Sequence, residues 1–264
     1  MSTAMRIDVL TLFPDMVREP LRHSIVARAA ARGLADLRFH DLRDWTSDRR
    51  RTADDTPYGG GAGMVMTPRP LVTAIRAISA DDDGPPPLRV LLCPQGEVLT
   101  QSLVADLAAR PRLLLVCGHY EGVDERVRIA SIDREVSIGD FVLSAGEVGA
   151  VVIIDAVVRL LPGALGSAES ALDDSHSARN APPLLEYPQY TRPSDFEGHL
   201  VPEVLRSGHH GQVEAWRRIQ SLERTRLRRP DMYATWWVRE QIRRSERPVT
   251  KRSARRPPPS ASQP

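Results

Sequence analysis

Two apolar runs of strand length, "LRVLLCP" (88–94) and "RLLLVC" (112–117), flank the helix-like "TQSLVADLAARP" (100–111). This feature constrains the chain most. A continuous apolar run of that length reads as a strand buried on both faces, and a helix between two of them makes a parallel crossover, a βαβ unit. The same alternation extends to either side. "RIDVLTLF" (6–13) reads as a first strand, and Pro14 precedes an amphipathic helix through "DMVREPLRHSIVARAAARG" with Gly33 as its C-terminal cap. Residues 44–67 form a polar loop ending in Gly59, Gly60, Gly61 and Gly63; a helix follows over 69–80, then "DDDGPPP" as a turn. "REVSI" (134–138) and "FVL" (141–143) are shorter strands, and "GAVVIIDAVVRLLPG" (149–163) is a helix apolar on nearly every side, hence buried. The alternation predicts an α/β fold with a mainly parallel sheet.

Beyond this sheet domain, 1–163, the texture changes. Residues 164–193 are rich in Ser, Asp, Asn and Pro and read as a flexible interdomain linker; 194–246 read as a small, basic, all-helical domain, and 247–264 as a disordered tail. Of 36 basic and 34 acidic residues, 15 and 6 fall from Leu200 onward, which leaves 21 and 28 before it. That asymmetry points the C-terminal part at a polyanion, nucleic acid before membrane. No run reaches the ~18–20 apolar residues of a membrane span, and no secretory signal opens the chain. Cys93 and Cys117 have no partners at metal-ligand spacing, so a reduced, cytoplasmic protein is expected. No G-x-G-x-x-G follows the first strand, which tells against a dinucleotide oxidoreductase.

Where the runs break is informative. "LLLVCGHYEGVDERV" (113–127) and "EVSIGDFVLSAGEVGAVVIIDAV" (135–157) both drive apolar residues into glycine and carboxylate. In open parallel sheets ligands bind beyond the carboxyl ends of the strands. Gly96, Gly118 and Gly139 fall at three such ends, where backbone without a Cβ can approach a ligand.

Seven motifs in order, "DDTPYGGGAGM", "CGHYEGVDERV", "SIGDFVLSAGE", "IDAVVRLLPGALG", "DDSHS", "LLEYPQYTRP" and "SGHHGQVEAWR", resemble the bacterial tRNA (guanine-N1)-methyltransferases of the SPOUT class over about residues 5 to 232. The resemblance implies methylation of the guanine next to the anticodon (position 37), S-adenosylmethionine as donor, a homodimer acting on tRNA rather than DNA or a membrane, and a deep trefoil knot in the C-terminal part of the sheet domain. Periodicity alone predicts an ordinary doubly wound sheet, because knots are close to absent among folds. The family's association with Mg²⁺ leaves that ion open, although the sequence holds no dedicated ligand cluster.

The chemistry sets its own requirements. N1 of guanine must lose a proton to become nucleophilic, and negative charge then develops on O6. A base near N1 and a cationic donor at O6 are needed. The resemblance makes Asp174 of "LDDSHS" the base, with Asp173 as competitor; read locally, Asp174 equally suits a helix cap. Arg159 of "DAVVRLLPG" takes the O6 role, alongside an i,i+4 bridge to Asp155 that is also compatible with it. For the cofactor the resemblance implies three loops: Leu92, Cys93 and Pro94; Gly118, Tyr120, Glu121 and Gly122; and Ser137, Ile138, Gly139, Asp140, Phe141, Val142, Leu143 and Gly146. Main chain would hold the adenine and Glu121 the amino end, while Tyr120 and Phe141 are equally readable as core aromatics. Cys93 stands where the family commonly has Ser, His119 where Arg is common, and Ala145 where Gly is common. For RNA it implies Arg192, His209, His210 and Arg217, with Arg218, Arg226 and Arg228 suited to phosphates.

Overall fold

The computed structural model of the chain describes residues 4–81, 84–166, 174–177 and 183–246. The chain divides into two compact units, Met1–Leu172 and Asp173–Pro264.

The first unit runs β1 (Met5–Thr11), α1 (Pro14–Arg18), α2 (Ser24–Ala31), β2 (Ala35–Asp41), β3 (Asp54–Asp55) and β4 (Val65–Met66). It continues through α3 (Pro68–Ser79), β5 (Leu88–Val98), α4 (Gln101–Ala108), β6 (Arg112–Cys117), α5 (Glu125–Ser131), β7 (Arg134–Ser137) and α6 (Gly146–Val158). Five strands form one sheet in the order β2-β1-β6-β5-β7, and every pairing in it is parallel. Alternate residues serve opposite faces. Ile7, Val9, Leu113 and Leu115 join the core beneath α1, α2, α4 and α6. Leu10, Leu114 and Val116 join a second core beneath α3 and α5. The α/β class and the βαβ unit thus stand as expected.

Several local readings are corrected. The N-terminal helix is split, because Pro20 cannot donate to the turn before it and opens a short 3₁₀ segment, Pro20–Arg22; Ser24 then takes φ +57°. Gly33 does terminate the second piece, at φ +69°, with its amide on the Ala30 carbonyl. The "FVL" strand does not form: Phe141 folds back through its amide onto the Gly139 carbonyl, and this stretch lies outside every strand. Helix α6 is not buried all round, since Val148, Val152 and Asp155 form one exposed stripe along it. β2 completes the sheet edge.

One polar cluster interrupts the core. Asp8, fully buried on β1, accepts from Arg6 (2.8 and 2.9 Å), from Arg112 Nε (3.2 Å) and pairs with His40 Nε2 (2.8 Å). Arg112 also reaches the Ile78 carbonyl at the end of α3 (2.5 Å).

The second unit is not purely helical. A two-stranded hairpin, β8 (Asp195–Phe196) and β9 (His199–Leu200), precedes α7 (Glu203–Arg206), α8 (His210–Arg228) and α9 (Pro230–Ser245). Of the expected linker, residues 164–166 belong to the first unit, with Ala164 buried in its core, and the described residues from 174 onward belong to the second. The Leu185 amide donates to Thr225 Oγ1 of α8 (2.9 Å), the Glu186 amide to Ser175 Oγ (2.9 Å), and Tyr190 lies beside Trp216. The expected tail, 247–264, lies outside the described residues.

Candidate functional site

Because β5, β6 and β7 are parallel neighbours, their carboxyl ends open on one edge of the sheet. A cleft of about 280 Å³ lies there, close to the lower end of the roughly 300–1,000 Å³ usual for small-ligand pockets. Three stretches wall it: 91–95, 118–123, and 136–138 continuing at 141–146.

Each wall has a local cause. Past Leu92, strand β5 bulges: Val136 of β7 pairs first with Leu92 and then with Glu97, so residues 93–96 swing out. Gly96 therefore lies inside the strand and not at its end. A Cβ there would collide with the Val136 amide nitrogen. The second wall turns at Tyr120, which holds the left-handed φ of +57°, and is tied to the glycine-rich loop by Glu121 N–H donating to the Met64 carbonyl (3.0 Å). The third wall ends where α6 begins, with the Gly146 amide donating to the Gly118 carbonyl at 2.8 Å. A Cβ on Gly146 would sit 2.9 Å from both Cys117 Cα and the Gly118 nitrogen. At Gly149, one turn on, it would make ordinary contact, 3.6 Å from Leu92. Gly146→Val should therefore displace backbone and lower stability by about 1–3 kcal/mol, whereas Gly149→Ala should shift the thermal midpoint little. Equal midpoints for both variants would contradict this packing.

Titratable groups surround the cleft. Glu147, fully buried, accepts from Thr11 Oγ1 (2.6 Å), which ties the end of β1 to α6. Its other oxygen faces His119 Nδ1 at 3.9 Å, and neither atom is hydrogen-bonded. His119 packs between Phe13 (5.3 Å) and the edge of Tyr120 (4.7 Å). Burial pushes the Tyr120 hydroxyl above its usual range, and neighbouring Asp54 adds to this. Burial likewise raises the Cys93 thiol, helped by Glu135, whose carboxylate accepts from Cys93 Sγ at 3.2 Å and is paired with Arg128. Cys117 is buried and its thiol is held well above the usual range; both cysteines are free.

All residues that the resemblance implies for the cofactor line this cleft except Gly139 and Asp140. Those two shape the turn behind the wall: Ser137 Oγ donates to the Gly139 carbonyl at 2.9 Å. Tyr120 and Phe141 are 42% and 55% exposed, so neither is a core aromatic. Ala145, at φ −167°, is extended, and its methyl is accommodated in the cleft wall. Among lining residues not singled out for the cofactor, Gln95 lies within the expected loop "LCPQG" (92–96) and Gly149 repeats the glycine spacing of "GEVGAV". Arg128 carried no local signal.

Arg159 closes α6 in the first unit, its amide on the Asp155 carbonyl (3.2 Å). Asp174 belongs to the second unit and begins a turn over 174–177, closed by the Ser177 amide on its carbonyl (3.2 Å); no helix follows within those four residues. Asp173 lies outside the described residues. Arg192, His209 and His210 are exposed in the second unit, and Arg217 of α8 lies over the Tyr187 ring at 4.6 Å. Among the described residues no cluster of three or more metal-ligating side chains occurs, and no helix is long and apolar enough to cross a membrane.

A glycine-lined cleft at the carboxyl edge of a parallel sheet, with largely apolar and aromatic walls, is the kind of site in which α/β proteins hold small organic ligands. Comparison with known proteins narrows this. The sequence model described as tRNA (Guanine-1)-methyltransferase TrmD matches residues 5–235. Proteins named tRNA (guanine-N(1)-)-methyltransferase are similar over most of the chain. The one from Chloroflexus aurantiacus is 58% identical over 230 residues, 87% of this chain and 88% of its own. That from Dehalococcoides mccartyi (strain 195) is 53% identical over 228 residues (86% and 90%), and that from Geobacillus kaustophilus 52% over 229 (86% and 91%). The chain belongs to the tRNA (guanine-1)-methyltransferase family.

Proposed function

We propose that this chain transfers a methyl group from S-adenosylmethionine to N1 of the guanine adjacent to the anticodon of tRNA, acting as a cytoplasmic homodimer. The observation that carries the reading is the cleft. Its backbone-lined bays at 92–94, 118–122 and 137–138 suit the polar edge of an adenine, and Phe141, Val142 and Leu143 offer apolar cover. Glu121, exposed on the rim, suits the ammonium end of the methionine part. When bound, S-adenosylmethionine supplies an electrophilic methyl on a sulfonium.

The chain's own residues supply the rest. Asp174 takes the N1 proton, and the Arg159 guanidinium stabilises the charge that grows on O6. A carboxylate is a weak base for such a proton, so the two act together. Arg192, His209, His210 and Arg217 hold the RNA, and the target base leaves its stack to be methylated. The family's trefoil knot in the C-terminal part of the sheet domain belongs to the same proposal. The exposed Val148 and Val152 of α6, together with Val142 (81% exposed), support an apolar contact between two copies. Mg²⁺ stays an accessory to be tested by chelation.

The experiment is methyl transfer from labelled S-adenosylmethionine to tRNA transcripts, with the product nucleoside identified by mass spectrometry. 1-Methylguanosine is expected; a 2′-O-methyl nucleoside, or no label, refutes the reading. Arg159→Lys keeps the charge and loses the two-pronged donor. It should lower turnover at least tenfold while cofactor affinity changes less than twofold, an outcome of lost transition-state contact. Parallel losses in both would make Arg159 structural.

A further inference from the structure

Two side chains beside the cleft each lack part of their hydrogen bonding. Glu147, in the first turn of α6, is wholly buried, and its Oε1 accepts from Thr11 Oγ1 at 2.6 Å. Thr11 Oγ1 in turn accepts from the Phe13 amide at 2.9 Å, which fixes the direction of its hydroxyl. The other carboxylate oxygen, Oε2, faces His119 Nδ1 across 3.9 Å; both atoms are buried, and neither has a hydrogen-bond partner among the described residues. That separation is too long for a hydrogen bond. Burying either group unpaired costs free energy, and each supplies what the other lacks.

The wall that carries His119 is lightly tied at this point. Its amide donates to the thioether of Met66 at 3.2 Å, a weak acceptor, and Tyr120 next to it holds a left-handed φ of +57°. The other titratable or charged groups around the pair are Cys117, which feels the charge of Glu147, Glu121 on the same wall, Tyr120 with its neighbour Asp54, and Arg43 over the Phe13 ring at 5.3 Å. None of them hydrogen-bonds either orphaned atom.

We infer that His119 is a positioning residue for the methyl donor: as the donor enters, the wall moves onto α6, and His119 takes a proton from water and donates it in a hydrogen bond to Glu147. The movement needed is roughly 1 Å, from the present gap to ordinary hydrogen-bond length. The inference rests on the S-adenosylmethionine donor proposed above and adds a proton that binding takes up. A charge-assisted bond is about twice as strong as a neutral one, so closure favours the imidazolium, and histidine is the side chain that changes charge between about pH 5 and 8. Anchored from His119 through Glu147 and Thr11 to β1, the wall then presents Tyr120 and Glu121 to the donor in one place.

The test is calorimetric titration of the full chain with S-adenosylmethionine at about pH 7.5. Repeating it in HEPES and in Tris, which differ in ionisation enthalpy, counts the protons taken up. The wild type should take up roughly 0.3–1 proton more per site than His119→Arg, which carries its charge at every such pH. The donor's own amino group contributes equally to both. His119→Gln donates without charge and should bind the donor roughly 5- to 15-fold more weakly, with His119→Arg recovering most of that loss. Glu147→Gln should lower the proton count to that of His119→Arg. His119 is partly exposed, so its own variants carry the test if Glu147→Gln does not fold. Equal proton counts in the wild type and His119→Arg, or undiminished affinity in His119→Gln, refute the positioning role and leave the donor reading standing. If the wild type binds no S-adenosylmethionine, the donor reading falls and takes this inference with it.

Discussion

Asp174→Asn should reduce methyl transfer to tRNA by about 10²–10⁴-fold, the usual contribution of a positioned general base. Asn fills nearly the same space and can still accept a hydrogen bond, but it cannot take the N1 proton. The cleft walls lie in the first unit, between residues 91 and 149, while Asp174 stands in the second unit's 174–177 turn. Because Asn keeps the shape of the side chain and a hydrogen-bond acceptor, calorimetric affinity for S-adenosylmethionine should change less than twofold. That split, a large loss of turnover with cofactor binding kept, is what a base requires. A variant retaining full turnover would move the role elsewhere, with Asp173 the first alternative.

Asp8→Asn should destabilise the first unit by about 3–5 kcal/mol, the range for breaking a buried ion pair on one side. Asp8 is wholly buried, and the two guanidinium groups on it belong to Arg6 and Arg112, 6% and 4% exposed. Arg112 already has one buried nitrogen without a partner, so it has little capacity to find a substitute. The pH dependence follows from the same contacts. Burial by itself would raise the Asp8 carboxyl, but the hydrogen bonds from His40 and Arg6 and the charges of Arg6 and Arg112 outweigh it and hold the carboxyl below its ordinary value. A depressed carboxyl stabilises the fold above the unfolded-state value, about 3.9, and that contribution is lost as pH falls through the folded-state value. Urea unfolding from pH 7 to pH 3 should show the wild type losing stability in the acid range, with a shallower acid slope in the variant. A cost under about 1 kcal/mol, with the slope unchanged, would mean that the network contributes no net stability.

How much could be read from residues alone differs by element. The βαβ unit was legible because "LRVLLCP" and "RLLLVC" are apolar throughout, as strands covered on both faces must be. β2 carried a signal too: Ala35, Leu37 and Phe39 alternate with Asp36, Arg38 and His40, the mark of an edge strand half in water. The break at Pro20 was likewise visible in local chemistry. Gly96 was not, because a glycine that ends a strand and one that lets a bulge pass a neighbour look alike without the partner strand. Arg128 reaches the cleft only through the fold, and its pairing with Glu135 sets the wall behind Cys93. The exposed stripe of α6 was hidden for a related reason. A helix apolar on every side reads as buried, whether its last face meets its own core or a second copy.

Methyl transfer by this chain requires a donor held in the cleft at the ends of β5, β6 and β7. A crystal structure of the chain soaked with S-adenosylhomocysteine tests this most directly. The expected density places the adenine against the main chain of residues 92–94 and 137–138, with the amino acid end toward Glu121. Density for the ligand anywhere else, with the cleft walled by residues 91–95, 118–123 and 141–146 filled by solvent, would contradict it.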